Sequence, residues 1–345
     1  MRPLLHAFLV NGRTGDPAVY VEEMFESRAF LFDIGDLSNL PTRKIQRLEH
    51  VFVSHAHLDH FFGFDRLLRV LVGQEKTIRF YGPKGFITCV AHKLAAYCWN
   101  LVDRFEADLA FEVTEVDSGP SFRAARMRLK TAFAVEPAGY WHRSDGALPC
   151  APGFVAKVAI LDHGTPCLAF SIQEAAHVNI WKSRLDEHGL RVGAWLRGLR
   201  RALIEHRGDD FPIVVETASG SVQERIQPLG ALRSIATVTP GQKIAYVTDA
   251  ADTIENREAI VQLVSGADLL FIEAPFAAAD AALATDRAHL TTSAAGAIAR
   301  AAGVRRLEPF HFSPRYAGRE TALLREVQAE FLREGPKSMS GNVAA

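Results

Sequence analysis

The sequence predicts an α/β fold, and three observations carry that expectation. Short apolar runs of strand character alternate with longer helical segments along most of the chain. Residues able to ligate a metal come directly after such apolar runs, near 55–60, 163, 249 and 311. Open α/β architectures gather their sites at strand ends, so these four groups fit one cleft at the edge of a two-layered sheet core. Composition agrees with a soluble globular protein: 345 residues, 48% hydrophobic and 23% charged.

In chain order, residues 4–10 and 18–21 read as short strands around the turn Gly12, Gly15, Asp16, Pro17. Ala29-Phe30-Leu31-Phe32 reads as a buried strand and residues 41–48 as a helix. The apolar end Val51-Phe52-Val53 is followed by the helix 64–73, the strand 78–81, the helix 84–102 and strands over 109–116 and 122–133. Residues 136–153, rich in Pro and Gly, read as a loop carrying Trp141 and His142. Strands at 154–161 and 168–172 precede a mostly helical stretch over 175–207. Further strands fall at 213–215, 244–248, 269–272 and 306–310, with helices at 255–264 and 276–303, the latter restarting near Leu290-Thr291-Thr292. The expected organisation is one domain over 1–335, a helical insert near 173–208 and a flexible tail over 336–345.

The chemistry concentrates in Ser54-His55-Ala56-His57-Leu58-Asp59-His60. Imidazole and carboxylate suit a borderline divalent ion such as zinc. His55 and His57, two apart, reach one ion; Asp59 and His60, past the turn, face a second about 3.5–4 Å away. His163 comes after the strand at 154–161 and precedes Gly164-Thr165-Pro166, which makes it the third ligand region. Asp249, again at a strand end, offers the bridging carboxylate that a two-metal site needs. Asp33, at the end of the strand at 29–32, either orients a ligand histidine or caps the next helix.

Charge excludes little. Lys+Arg is 39 and Asp+Glu is 40, a net of −1, so nucleic-acid binding would need a local patch. One exists: Lys182 to Arg207 holds seven Lys/Arg against Asp186, Glu187 and Glu205, with Trp181 and Trp195 interspersed. It reads either as a nucleic-acid contact arm or as an amphipathic helix pair with a solvated face. Cys89, Cys98, Cys150 and Cys167 show no CxxC pairing and suit reduced thiols in a cytoplasmic protein. No apolar run approaches the ~18 residues of a membrane span, and residues 1–10 lack a signal-peptide pattern.

His55-Ala56-His57-Leu58-Asp59-His60 matches the HxHxDH signature of the metallo-β-lactamase superfamily, and His163, Asp249 and His311 stand in the order of its later motifs. Within it, four stretches resemble the ribonuclease Z branch, the tRNA 3′-endonucleases. They are Gly15-Asp16-Pro17, Tyr81-Gly82-Pro83-Lys84-Gly85, Leu161-Asp162-His163-Gly164-Thr165-Pro166 and His311-Phe312-Ser313-Pro314-Arg315-Tyr316. The resemblance implies an αββα sandwich of two mixed sheets with outer helices. It implies two zinc ions, with manganese or iron as alternatives. His55, His57 and His163 would hold one ion; Asp59, His60 and His311 would hold the other, with Asp249 bridging. Asp59 and His289 would be catalytic, His289 as proton donor to the leaving oxygen. Ser313 and Arg315 would contact phosphate, and Glu273 would orient His289.

The activity so implied is hydrolysis of a phosphodiester, as in endonucleolytic tRNA 3′ processing or on related RNA 3′ ends, by a homodimer. A hydrolase of a small ester, lactone, thioester or cyclic nucleotide is the alternative. The segment 173–208 resembles the surroundings of that family's tRNA-gripping arm, yet has no long Gly/Pro-rich stretch.

Overall fold

The structure, a computed structural model, describes residues 4–24, 26–119, 121–142, 147–217 and 224–333. It divides into two compact units, Met1–Ile172 with Gln242–Ala345, and Gln173–Gly241. The expected tail at 336–345 lies outside the described residues, as do 143–146 of the expected loop.

The first unit is built on two sheets. One has eight strands in chain order, from Leu5–Leu9 to Val135–His142. Its centre is parallel, Ala29–Phe32, Leu48–Phe52, Lys76–Pro83 and Leu109–Val116, and its flanks are antiparallel. The other has six strands in the order Leu307–Phe310, Leu269–Glu273, Lys243–Val247, Pro166–Glu174, Phe154–Asp162, Ala147–Leu148, the first three parallel.

Alternation along the strands decides the layers, because successive side chains point to opposite faces. Phe30, Phe32, Phe52 and Tyr81 face inward with Leu168, Phe170, Tyr246 and Phe271 and form the core between the sheets. Ala29, Leu31, Val51 and Val53 face the other way, under the helices Phe64–Leu71 and Phe86–Ala95. Ala245, Val247, Leu270 and Ile272 similarly meet the helices Ile254–Val264, Thr292–Ala301 and Glu320–Phe331. The result is the expected αββα sandwich of two mixed sheets. Thr291 caps the restarted helix by accepting from Ala294 N.

Several sequence expectations need correction. Residues 136–142 are not loop: Val135–His142 is the edge strand of the eight-stranded sheet. Pro137 suggested a loop, but proline is tolerated on an edge strand, and the pairing shifts register between Ala124 and Ala125 opposite it. The helix expected over 41–48 is only Thr42–Ile45, because Leu48 already pairs with Ala29 in the sheet. The helix Glu320–Phe331 was not expected from the sequence.

In the second unit, His177–Ile180 is a strand paired with Ala236–Thr239, not helix. Its helices are Lys182–Glu187, Leu196–Ile204 and Leu229–Leu232, and Pro212–Glu216 pairs with Glu224–Pro228 in a two-stranded sheet. Leu185, Leu190, Trp195, Leu199, Ile213, Val215 and Leu232 make its own core. Trp195 is therefore core, whereas Trp181 is half exposed, with its indole N–H on Thr237 Oγ1 and Arg184 over its ring.

Candidate metal centre

The parallel strands end on the same side of the sandwich, and the residues at or just past each end supply the site. Asp33 comes directly after Ala29–Phe32, Ser54 and His55 after Leu48–Phe52, Asp249 after Lys243–Val247, and His311 directly after Leu307–Phe310. Glu273 closes Leu269–Glu273. Asp33, Asp249 and His311 take left-handed backbone angles, φ 53°, 41° and 58°. Asp and His tolerate that region better than most residues, and such strain persists only where the surroundings enforce it. Gly63 lets the loop bearing Asp59 and His60 lie against Ile34 and Gly35, since a Cβ there would collide with the Gly35 carbonyl oxygen.

Three groups of ligand-type atoms converge, each within 4.8 Å: His55, His57, His163 and Asp249; Asp59, His60 and His311; and Asp249, Glu273, His289 and His311. Asp249 links them. Its Oδ2 lies 3.4 Å from His55 Nε2, 3.3 Å from His60 Nε2 and 3.5 Å from His163 Nε2. Its Oδ1 lies 3.0 Å from His311 Nδ1. Asp59 Oδ2 is 3.5 Å from His60 Nε2 and 3.4 Å from His311 Nε2.

The opposite ring nitrogens are held from behind. Asp33, fully buried, accepts from Ser54 N at 2.6 Å, Ser54 Oγ at 2.7 Å, His60 Nδ1 at 2.7 Å and the Tyr246 hydroxyl at 2.6 Å. It therefore orients the His60 ring and caps no helix among the described residues. His55 Nδ1 meets Ser54 Oγ at 3.0 Å and Cys167 Sγ at 3.7 Å, and His163 Nδ1 donates to the Ala288 carbonyl at 2.8 Å. With those nitrogens held, the Nε2 atoms of His55 and His60 are buried without a hydrogen-bond partner. Orphaned buried acceptors aimed at one carboxylate are what a divalent cation would satisfy, so the donor set fits a metal ion.

Electrostatics agrees. Burial and the neighbouring His60 push His55 down to about 2, so its ring is neutral. Burial opposes charge on His60 too, but Asp249 and Asp33 prevail and hold it up at about 10. The same two carboxylates make this pocket anionic, and a divalent ion at Nε2 would take the place of that proton. Asp59, despite partial burial, is held down at about 2 by His311 and His60. His289 Nδ1 donates to Glu273 Oε2 at 2.8 Å, and Glu273 Oε1 accepts from Ala250 N and Leu290 N. Burial disfavours the imidazolium of His289, yet Glu273 outweighs it and raises its pKa.

These groups line a cleft of about 430 Å³. His57, Asp59, His163, Asp249, His289, His311 and Ser313 are on its wall, as are Asp16 and Arg287, which the sequence did not single out as site residues. Arg315 is not on that wall; its guanidinium lies 5.8 Å from the Tyr316 ring. Tyr246 and Cys167 were likewise not legible as site residues in the sequence. A tyrosine inside the apolar strand Lys243–Val247 was the available signal, because a buried hydroxyl needs a partner.

Comparison with known proteins agrees with this geometry. Residues 32–157 match the Beta-lactamase superfamily domain. The chain is 30% identical to a ribonuclease Z of Deinococcus radiodurans over 335 residues, 95% of this chain and 96% of that one. It is 31% identical to a ribonuclease Z of Geobacillus kaustophilus, covering 85% of this chain and 80% of that one. The metallo-beta-lactamase fold protein YhfI from Bacillus subtilis superposes with a TM-score of 0.52 at 17% identity, covering 95% of this chain and 93% of that one. Human tRNase Z, short form, superposes with a TM-score of 0.50 at 19% identity, covering 90% and 94%. Likeness that runs nearly end to end in the first relative, over a cluster of this composition, makes the chain a member of the ribonuclease Z family.

Proposed function

We propose that the protein is a two-metal phosphodiesterase that cleaves RNA, with the 3′ extension of a precursor tRNA as its first candidate substrate. One observation carries the metal part of this reading. A single carboxylate, Asp249, faces nitrogens of both histidine groups while buried ring nitrogens around it lack partners. His55, His57 and His163 would hold one ion, and Asp59, His60 and His311 the other, with Asp249 between them. Zinc suits this His/Asp set, and manganese or iron are alternatives. Two such ions, when bound, lower the pKa of a water and stabilise charge on the phosphoryl oxygens.

The chain's own groups supply the rest. Glu273 fixes His289 through Nδ1, which leaves Nε2 to carry a proton to the leaving oxygen. Asp59, anionic across the working range, accepts a hydrogen bond from the attacking water. Ser313, on the cleft wall, would contact a phosphoryl oxygen. Family likeness supports RNA as substrate and a homodimeric, cytoplasmic protein. Among the described residues, no helix is long and apolar enough to cross a membrane.

We treat Gln173–Gly241 as an insert on a single catalytic domain. Within it Arg191, Arg201 and Arg207 are paired with Glu216 or Glu205, so the basic stretch offers less free charge than its sequence promised.

The test is cleavage of a 3′-extended precursor tRNA by metal-replete protein, with and without chelator, beside small esters and phosphodiesters. A chelator-sensitive cut at the end of the acceptor stem is the expected result. Turnover of a small ester with no RNA cut would replace this reading with the small-substrate one.

A further inference from the structure

We infer that Arg287 is a substrate-binding residue that takes the phosphate next to the scissile one, on the leaving-group side. This rests on the phosphodiesterase reading and names which part of its substrate the cleft grips.

Arg287 is the one arginine or lysine among the described residues lining the cleft. The cationic candidate read from the sequence, Arg315, is not on that wall; it sits near the Tyr316 ring, where Arg319 also lies, 5.7 Å away. Arg13 is engaged elsewhere, donating to the Pro309 carbonyl and, at 2.6 Å, to Glu308 Oε2. Arg287 is not so committed. Its ion pair is a loose 3.9 Å contact with Asp286, both side chains being more than two-thirds exposed. It ends the helix Ala281–Asp286, and two residues later His289 enters the same cleft.

That neighbourhood sets the side. His289 delivers its proton to the leaving oxygen, so a cation two residues before it stands along the leaving strand. The scissile phosphoryl oxygens would be taken by the metal ions when bound. A nucleic acid passing through the cleft carries its next charge one nucleotide further on, and guanidinium binds phosphate in a planar, two-pronged geometry that lysine cannot match. Asp16, Asp59 and Asp249 otherwise make the protein surface of this cleft acidic, which leaves Arg287 as the element of the wall that favours a polyanion over a neutral ester.

The experiment combines Arg287→Ala with an RNA that the enzyme cuts at one bond, made with a normal or an uncharged methylphosphonate linkage one nucleotide to the leaving side. Each change alone is expected to lower kcat/KM about tenfold. Together they should cost little more than either, because both remove the same contact, and Arg287→Lys should recover part of the loss. Binding of the uncut RNA in chelator supplies a second readout: the salt slope of log K should flatten by about 0.7 in Arg287→Ala. Losses that simply multiply, or an unchanged salt slope, overturn the assignment. Wild-type protein that cuts no RNA but turns over esters overturns the phosphodiesterase reading itself, and this inference falls with it.

Discussion

Tyr246 donates its hydroxyl proton to Asp33 Oδ2 at 2.6 Å, tying the six-stranded sheet to the eight-stranded one behind the candidate metal centre. Both residues are fully buried, and the Tyr246 ring stacks on Phe32 at 5.4 Å. Tyr246→Phe keeps the ring and removes one donor from a buried carboxylate. A stability loss of about 1–3 kcal/mol is expected. Metal affinity should fall about 10–100-fold, since Asp33 also holds His60 Nδ1. Chemical denaturation and a metal titration of the variant check this; an unchanged metal affinity would separate Asp33 from the site.

Asp249→Ala removes the one carboxylate that faces nitrogens of both histidine groups. Metal affinity should fall by more than the ~10–100-fold typical of supporting residues, and turnover should be lost while circular dichroism stays native. A metal-replete Asp249→Ala protein with full activity would sink the bridging assignment.

His289→Ala should lower kcat on RNA by ~10²–10⁴, the range for a positioned general acid. The loss should be much smaller with a p-nitrophenyl leaving group, which departs without a proton. Equal losses on both substrates would show that His289 acts in some other way.

The Glu273–His289 pair sets the pH profile. Burial favours the neutral ring, but Glu273 raises the His289 pKa above its ordinary 6.5. A general acid works while protonated, so kcat should decline as pH rises past that raised value. Glu273→Gln removes the raising charge, so the decline should begin at lower pH. A descending limb that stays in place in the variant argues against His289 as the acid.

His50 gives a stability prediction away from the site. Its ring lies buried against Tyr81, Nδ1 3.1 Å from that hydroxyl, and burial, then Arg79 and Arg28, push its pKa down to about 3. The unfolded chain binds a proton near 6.5 and the folded one does not, so stability is full above that pH and falls as pH drops toward 3. The slope is about 1.4 kcal/mol per pH unit, or roughly 2 kcal/mol lost by pH 5. Against wild type, His50→Gln should lack this component between pH 6.5 and 5. Parallel pH–stability curves would refute the buried neutral state.

Much of this protein is written locally. Two-residue alternation in Ala29–Phe32 and Leu48–Phe52 makes strands with an inner aromatic face and an outer aliphatic one. His55, His57, Asp59 and His60 are close in sequence, and their residue types announce metal chemistry before any folding. His163, Asp249 and His311 were legible because each comes after an apolar run and matches a motif order. The tertiary structure decided what sequence separation conceals. Asp249 facing both histidine groups, Tyr246 reaching Asp33, and Arg287 rather than Arg315 on the cleft wall depend on how two sheets pack face to face. The strand at Val135–His142 and the pairing of His177–Ile180 with Ala236–Thr239 were likewise out of reach. Local propensity there pointed to loop and helix, and only a partner strand distant in sequence for the second, or an edge that tolerates proline for the first, settles the conformation.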